Sequence, residues 1–331
     1  MTDITPISDI TVLDSLFAIN LNVTLWSARR KLTPEDLGGV ELPPEDVASL
    51  GSKRICNPEH LRVFTMLRGR AYSLLNKTGV KFLGGWAIPE DKADSVVSEL
   101  QTLKDKFEAA EDAFLTDYDK HLQDWINEHP DWASVIARST VSADYVKARL
   151  GFGWQLFRVQ PAMQGEAAAN SGLPEEVSGL AGTLFNEIAH DATEIWNSVF
   201  IGRTEVTHRA MSPLRVLRDK LRGLSFVHPN AAPVADLIDM AFAVMPPKGN
   251  ITGSDLLLLQ GLVSMLTTPS SMLEHSQKLI EGRTSQSVLY DISLPSTPVV
   301  TVQNDEDMPI AAAMMSVPSH GKPGIKSFGL W

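Results

Sequence analysis

Two long segments have apolar residues at helical spacing, and they predict the largest elements of the fold. Between Pro89 and Glu128 the apolar positions recur every three or four residues, at Val96, Leu100, Leu103, Phe107, Ala110, Phe114, Tyr118, Leu122 and Trp125. A second seam with the same spacing runs from Pro174 to about Val199. Such spacing gathers apolar side chains on one face of a helix. We therefore predict two long helices, the first about 60 Å long, that pack as an antiparallel hairpin or bundle.

Shorter patterns predict the remaining elements. Apolar and other residues alternate from Phe17 to Leu25, which is typical of a β-strand. Weaker strand patterns cover 80–88, interrupted by two glycines, and 152–159. Helical patterns continue over 213–224, 234–245, 254–266 and 271–281. The expected fold class is mostly α with a minor β component (α+β), in which a small sheet lies beside the helices.

Proline followed by acidic residues marks the expected helix starts. Proline fits the first helical turn, and acidic side chains favour the positive end of the helix dipole. This signature occurs at Pro34, Pro44, Pro58, Pro89 and Pro174.

The chain changes character after Arg283. Five prolines punctuate this segment, no helical period is present, and it ends in Lys326, Phe328, Leu330 and Trp331. We predict an extended C-terminal arm and take these four residues as candidate partner-binding residues. The predicted organisation is an N-terminal α/β region with a short sheet (1–88), a long helical hairpin (89–211), a C-terminal helical region (212–283) and a proline-containing tail (284–331).

Composition and charge narrow the class of protein. With 44% hydrophobic residues the chain can bury a core, and with one cysteine it cannot form an internal disulfide. It contains no run near the roughly 20 apolar residues of a spanning helix, so we expect a soluble, cytoplasmic protein without membrane contact. The net charge of −11 is uneven, with a balance of −8 over 90–128 and +6 over 53–81.

Candidate metal ligands and a candidate nucleophile are present but isolated. Glu187 and His190, like Glu205 and His208, have the i, i+3 spacing of di-iron carboxylate bundles. The further glutamates of such sites are not evident, so solvent-facing polar residues are the favoured interpretation and a metal site is the outside alternative. Cys56 lies four residues before His60 without an orienting third group. No catalytic residue and no cofactor are predicted.

Three arginines share a face of the predicted helix over 213–224. Arg215, Arg218 and Arg222 fall at i, i+3 and i+7 beside an apolar stripe. They could contact phosphates or an acidic partner. The alternative is a solvated or internally paired face, for which the acidic segment 90–128 would be the partner.

Several short blocks resemble one family. They are Leu25-Trp26-Ser27-Ala28-Arg29-Arg30-Lys31-Leu32, Leu50-Gly51-Ser52-Lys53-Arg54-Ile55-Cys56, Phe82-Leu83-Gly84-Gly85-Trp86 and Ser142-Ala143-Asp144-Tyr145-Val146. Over about 15–225 the chain is similar to a domain of unknown function from bacterial mobile elements, prophages and phages. Genes of that family tend to lie beside an AAA+ ATPase of the MoxR or cobalt-chelatase type and a von Willebrand A protein. The resemblance implies a partner role and assigns no catalytic residues.

Three functional hypotheses follow. The favoured one is a non-enzymatic helical adaptor or assembly subunit that works with an AAA+ ATPase and a von Willebrand A partner. The second is a nucleic-acid-associated accessory protein that uses the arginine face. The third is a metalloenzyme or hydrolase whose residues assemble only on folding. Self-association through the long helices is a further expectation.

Overall fold

The computed structural model of the chain describes residues 11–39, 51–160 and 172–293. The helices in these ranges are α1 (Thr11–Asp14), α2 (Arg62–Thr78), α3 (Glu90–Thr116), α4 (Tyr118–Glu128), α5 (Ala133–Ala137), α6 (Ala143–Lys147), α7 (Leu173–Ile195), α8 (Met211–Gly223), α9 (Ala231–Val244), α10 (Gly253–Leu266), α11 (Pro269–Ile280) and α12 (Ser285–Ser293). The strands are β1 (Leu16–Thr24), β2 (Arg29–Lys31), β3 (Ser52–Arg54), β4 (Val80–Phe82), β5 (Gly85–Pro89), β6 (Gly151–Phe157), β7 (Glu205–Val206) and β8 (Ile251–Thr252). The predicted class, mostly α with a minor β component, is confirmed.

Four strands form an antiparallel sheet in the order β4-β5-β1-β6. All three strand patterns found in the sequence belong to this sheet. The β4–β5 turn consists of Leu83 and Gly84, which both have positive φ, at 47° and 75°. Two residues of that conformation match the right-handed twist of the flanking strands, and this is why the weak 80–88 pattern is a hairpin. Two short ribbons, β2–β3 and β7–β8, lie outside the sheet.

Helices cover both faces of the sheet and enclose two hydrophobic cores. The first core joins one face of the sheet, including Ala18 and Ala87, to buried residues of α7 through α12. The second core joins the opposite face, including Ile19 and Trp86, to α2, α3 and α4. Because side chains alternate along a strand, adjacent residues of β1 serve different cores.

The hairpin predicted from the two long seams is wrong. The chain leaves helical geometry at Asp117, where φ is −98° and ψ is 10°, so α3 and α4 are separate helices. The seam of α3 packs on α2, where Phe64 meets Phe107 with ring centroids 4.9 Å apart. The second seam, on α7, packs against β4 and α10 in the other core. The seam of α3 packs on α2 because α2 has an apolar face of its own, at Phe64, Leu67, Ala71 and Leu75. The two seams therefore lie in different cores, on opposite faces of the sheet.

The proline signatures mark element starts in the described residues. Pro89 is the N-cap of α3, and Pro174 lies in the first turn of α7. Pro34 and Pro58 begin short 3-10 turns, the second of which leads into α2. Pro44 and residues 294–331 of the predicted arm lie outside the described residues. The start of that arm is not extended as predicted, because Ser285–Ser293 form α12, which buries Val288 and Leu289 in the first core. The four-part division of the chain stays a prediction.

Within the described ranges, no single helix has both the length and the apolar character needed to cross a membrane. Together α10 and α11 reach that length and composition, but they are bent by 111°. The apolar residues of α10 are buried in the first core, at Leu256, Leu259, Leu262, Val263, Met265 and Leu266.

Candidate functional site

A polar cleft lies where α2, α7 and α8 meet the β4 edge of the sheet. It consists of two adjoining cavities of about 670 Å³ and 450 Å³ that share Asn76 and Asp191 in their walls. The larger cavity has hydroxyl groups from α2 and α8 on its wall, including Ser73 and Ser212. The smaller one is lined by Lys81, Glu187 and other residues of α7.

Lys220 is the buried centre of this region. Its side chain is only 2% exposed, and it lies on α8 among the core residues Leu217 and Leu221. The ammonium group donates to Glu187 Oε2 at 2.6 Å and to the backbone carbonyl of Asn76 at 2.7 Å. Glu187 also accepts from the backbone N–H of Lys81 at 3.0 Å. One ion pair therefore joins α7 and α8 to the C-terminal end of α2 and to β4.

Tyr72, in the wall of the larger cavity, packs against the buried Trp86. Trp86 donates from Nε1 to Asn76 Oδ1 at 2.8 Å and meets Tyr72 edge to face with centroids 5.4 Å apart. The Lys81 ammonium lies 3.3 Å from the centroid of the Trp86 ring, a cation–π contact. Burial lowers the pKa of Lys81, an effect that Glu187 opposes and Lys220 reinforces. These side chains hold one another in fixed positions.

Asp191 differs from the other charged groups of the cleft. It lies on α7, one turn after Glu187, and is half-buried between the two cavities. Burial raises the pKa of its carboxyl, although Lys220 and His190 act in the opposite direction. Within the part of the chain that the structure describes, no donor lies within hydrogen-bonding distance of its oxygens. Asp191 is therefore a partly desolvated carboxylate that faces open space.

The three predicted arginine contacts are on α8 but point to a different neighbour from the one expected. Arg218 pairs with Asp239 at 2.9 Å and with Asp219 at 2.7 Å. Arg222 pairs with Asp239 as well, and with Asp236 at 3.2 Å. The internally paired alternative describes these two arginines, but their partners come from α8 and α9 and not from the acidic segment 90–128.

Arg215, the third arginine, makes a ring contact. Its guanidinium lies 5.5 Å from the centroid of the Phe242 ring on α9. The predicted arginine face is therefore largely an α8–α9 contact. Binding of nucleic acid to it stays a prediction.

The four outside candidates for metal binding do not form one group. Glu187 is engaged by Lys220, and His190 lies 3.5 Å from Glu194 in an exposed pair. Glu205 accepts from Asn250 at 3.2 Å, and the Nε2 atom of His208 is buried without a partner among the described residues. Across 11–39, 51–160 and 172–293, no set of three or more His, Cys, Asp and Glu side chains is arranged to hold a metal ion.

The candidate nucleophile and the candidate partner-binding residues are not part of the cleft. Cys56 is completely buried in the second core, and burial raises the pKa of its thiol to about 11. The thiolate needed for a nucleophile is therefore disfavoured, and His60 instead stacks on His121 with centroids 3.8 Å apart. The predicted partner-binding residues Lys326, Phe328, Leu330 and Trp331 lie outside the described residues.

Sequence reasoning missed the central residues of the cleft. Lys220 gave a usable signal, because a lysine beside the stripe of Leu217, Leu221 and Leu224 interrupts the apolar side of α8. A lysine there must extend to water or find a buried partner. Asp191 gave no such signal, since an acid on a long helix is ordinarily solvated and its position depends on how α2 and α8 pack.

The fold and the cleft define a class: an α-rich protein with helices on both faces of a four-stranded antiparallel sheet and a polar cleft at one sheet edge. The chain belongs to the family described as "Protein of unknown function (DUF3150)", whose sequence profile matches residues 13–268. No curated protein and no solved structure shows significant similarity to it. The matched range includes every residue of the cleft described above.

Proposed function

We propose that this chain is a non-enzymatic helical adaptor, or assembly subunit, that binds a partner protein at the cleft between α2, α7 and α8. The partner we propose is an AAA+ ATPase that works with a von Willebrand A protein in a mobile-element or phage-related system. The ATPase and its companion come from the family resemblance of the sequence blocks. The binding site is inferred from the geometry of the cleft.

The observation that carries the proposal is the state of Asp191. Its carboxylate is partly desolvated, faces two cavities and accepts no hydrogen bond within the described ranges. A partly buried carboxylate gains most from a charged donor that reaches it directly. A lysine or arginine side chain on an extended segment of the partner would supply that donor. The hydroxyl groups of Ser73, Ser198 and Ser212 would line the same space.

The surrounding charges are arranged for binding without rearrangement. Lys220 is held by Glu187 and by the Asn76 carbonyl, and Lys81 lies on Trp86. Such mutual contacts fix the walls of the cleft before a ligand arrives, which reduces the entropy lost on binding.

Titration of the full chain with a purified AAA+ ATPase of the MoxR or cobalt-chelatase type and a purified von Willebrand A protein, the partners that the family resemblance implies, tests the proposal. We expect saturable binding that Asp191→Lys weakens by about tenfold or more. The matched control is Asp119→Lys, the same change at an exposed acid of α4. The ATPase rate, measured in parallel, should change on addition of the wild-type chain and not on addition of Asp191→Lys.

Two results would contradict the proposal. If neither purified protein binds the chain, the adaptor role is wrong. If both bind and Asp191→Lys behaves like Asp119→Lys, the adaptor role survives but the cleft is not the docking site.

A further inference from the structure

The two outer edges of the four-stranded sheet are built very differently. β4 has three residues, carries Lys81 at its centre, and is packed against α7. Short length, a lysine and a covering helix are each devices by which proteins prevent a sheet edge from pairing with another chain. The β4 edge has all three.

Among the residues that the structure describes, the β6 edge has none of these devices. The strand runs for seven residues, Gly-Phe-Gly-Trp-Gln-Leu-Phe, without a charge or a proline. It pairs with β1 along its whole length, from Gly151 opposite Thr24 to Phe157 opposite Ala18. On its other side no strand is paired with it in the part of the chain that the structure describes. Leu156 and Phe157 are 37% and 38% exposed at its end.

We infer that this edge binds a second copy of the chain, with two β6 strands pairing antiparallel about a twofold axis at Trp154. That register uses all seven residues of both strands, and the two sheets then form one continuous sheet of eight strands. The contact is isologous, which is the commonest arrangement in homodimers. The inference stands independently of the proposed adaptor role.

The strand is complementary to itself in this register. Trp154 and Leu156 pair with Leu21 and Ile19 of β1, so they share the sheet face of the second core, together with Phe152. In the dimer Phe152 lies opposite the Leu156 of the other copy, and Trp154 lies opposite its own equivalent. Apolar and aromatic pairs placed directly across antiparallel strands stabilise a sheet. The opposite face pairs Phe157 with Gly151 and Gln155 with Gly153.

The charges that flank the strand do not oppose this pairing. Extended beyond the strand, the register places Arg149 opposite Val159 and Arg158 opposite Leu150 of the other copy. The Arg149 guanidinium is 3.4 Å from the centroid of the Tyr145 ring of its own chain. Arg158 lies over Phe17, pairs with Glu90 and donates to the Asp14 carbonyl at 3.0 Å. Both arginines are thus engaged within their own chain, and the register places neither opposite the other copy's arginines. An identical uncharged strand is therefore a suitable occupant of this edge.

Sedimentation of the full chain over a range of concentrations tests the dimer. We expect twice the chain mass of 36.2 kDa for the wild type. Leu156→Lys places a charge in the apolar row and should raise the dimer dissociation constant by about tenfold or more. Leu257→Lys is the matched control, because Leu257 is 60% exposed on α10, outside the sheet, and this variant should remain a dimer.

Cysteine pairing tests the register and does not depend on how Leu156→Lys folds. Gly153→Cys combined with Gln155→Cys should form intermolecular disulfides under mild oxidation, because residue 153 of one copy faces residue 155 of the other. Either change alone should not, because the same residue in the two copies is offset by two positions along the paired strands. The native Cys56 is buried and should not react. A monomer at every concentration, a dimer unaffected by Leu156→Lys, or equal cross-linking of single and double variants would each overturn the inference. Amide protection of β6 that does not change on dilution would show that the chain covers its own edge.

Discussion

At the scale of single residues, the cleft contains two charged groups with opposite effects on stability. Lys220 is buried but has two acceptors, Glu187 and the Asn76 carbonyl, within 2.7 Å. Asp191 is partly buried, and no neighbour among the described residues donates to it. A buried charge with good partners is tolerated, whereas one without them lowers the free energy of unfolding.

Replacing Lys220 by methionine should lower the free energy of unfolding by about 3 kcal/mol, because Glu187 is left without its buried partner. Denaturant titration measures the change. Lys77→Met is the control, since Lys77 is an exposed residue of the same cleft. Adding Glu187→Gln to Lys220→Met should recover part of the loss. A loss as small as that of the control would mean that the ion pair contributes little.

Replacing Asp191 by asparagine should stabilise the protein at neutral pH. Burial raises the pKa of this carboxyl in the folded state, so folding favours the protonated form. The contribution of Asp191 to stability is therefore complete below the unfolded-state pKa of about 3.9 and is lost as pH rises through the folded-state pKa. Melting temperatures of the two proteins should be closest in acid and should separate towards neutrality, with the variant higher. A lower melting temperature for the variant at neutral pH would show that the attraction of Lys220 and His190 for the carboxylate outweighs the cost of its burial.

At the scale of elements, periodicity identified the helices and strands better than it identified their partners. The alternation from Phe17 to Leu25 and the seam from Val96 to Phe114 both correspond to real elements. Spacing says that a helix has an apolar face, but it does not say which surface covers that face. The seam of α3 met α2 because Phe64, Leu67 and the residues after them form an equally good face. The cleft depends on this packing, and so only its separate parts could be predicted from the sequence.

The close approach of β5 to β1 depends on Gly85. A Cβ at this position would overlap the Ile19 carbonyl and the Asn20 side chain. We expect Gly85→Ala to lower the free energy of unfolding by about 1–3 kcal/mol, because backbone cannot move aside as a flexible side chain can. Gly179→Ala on the exposed side of α7 is the control, since its Cβ would meet nothing within 4 Å. Equal denaturation midpoints for the two variants would contradict this account.

The contact between α4 and the turn before α2 should be sensitive to acid. Burial lowers the pKa of His121, and His60 and Lys120 lower it further, while Asp117 and Asp124 oppose them. Folding therefore favours neutral His121, and this contribution is complete above the unfolded-state pKa of about 6.5 and is lost as pH falls below it. His121→Gln should make the melting temperature less dependent on pH between about 7 and 5. Gln123→Ala, at an exposed and non-titrating position of α4, should leave that dependence unchanged.

At the scale of the whole molecule, the central sheet couples the two cores. β1 contributes Ala18 to the first core and Ile19 to the second, and Lys220 of α8 bonds to the end of α2. The described residues also belong to one compact unit. Loss of either core would expose one face of the sheet on which the other core depends.

We therefore expect one cooperative unfolding transition. Leu259→Ala in the first core and Phe107→Ala in the second should each destabilise the protein by about 3 kcal/mol, as is usual for large buried side chains. In both variants the tryptophan fluorescence, to which Trp26 and Trp86 of the second core and Trp196 beside the first core contribute, should change at the same denaturant concentration as the helical circular dichroism. Separate midpoints for the two signals would show that the cores unfold independently.

The position of Cys56 gives the molecule an internal reporter of its own opening. This thiol is the only one in the chain and is fully enclosed by the second core. A thiol-modifying reagent can reach it only in the fraction of molecules in which that core has separated. When closing is faster than modification, the labelling rate is proportional to that fraction and gives the free energy of opening without denaturant.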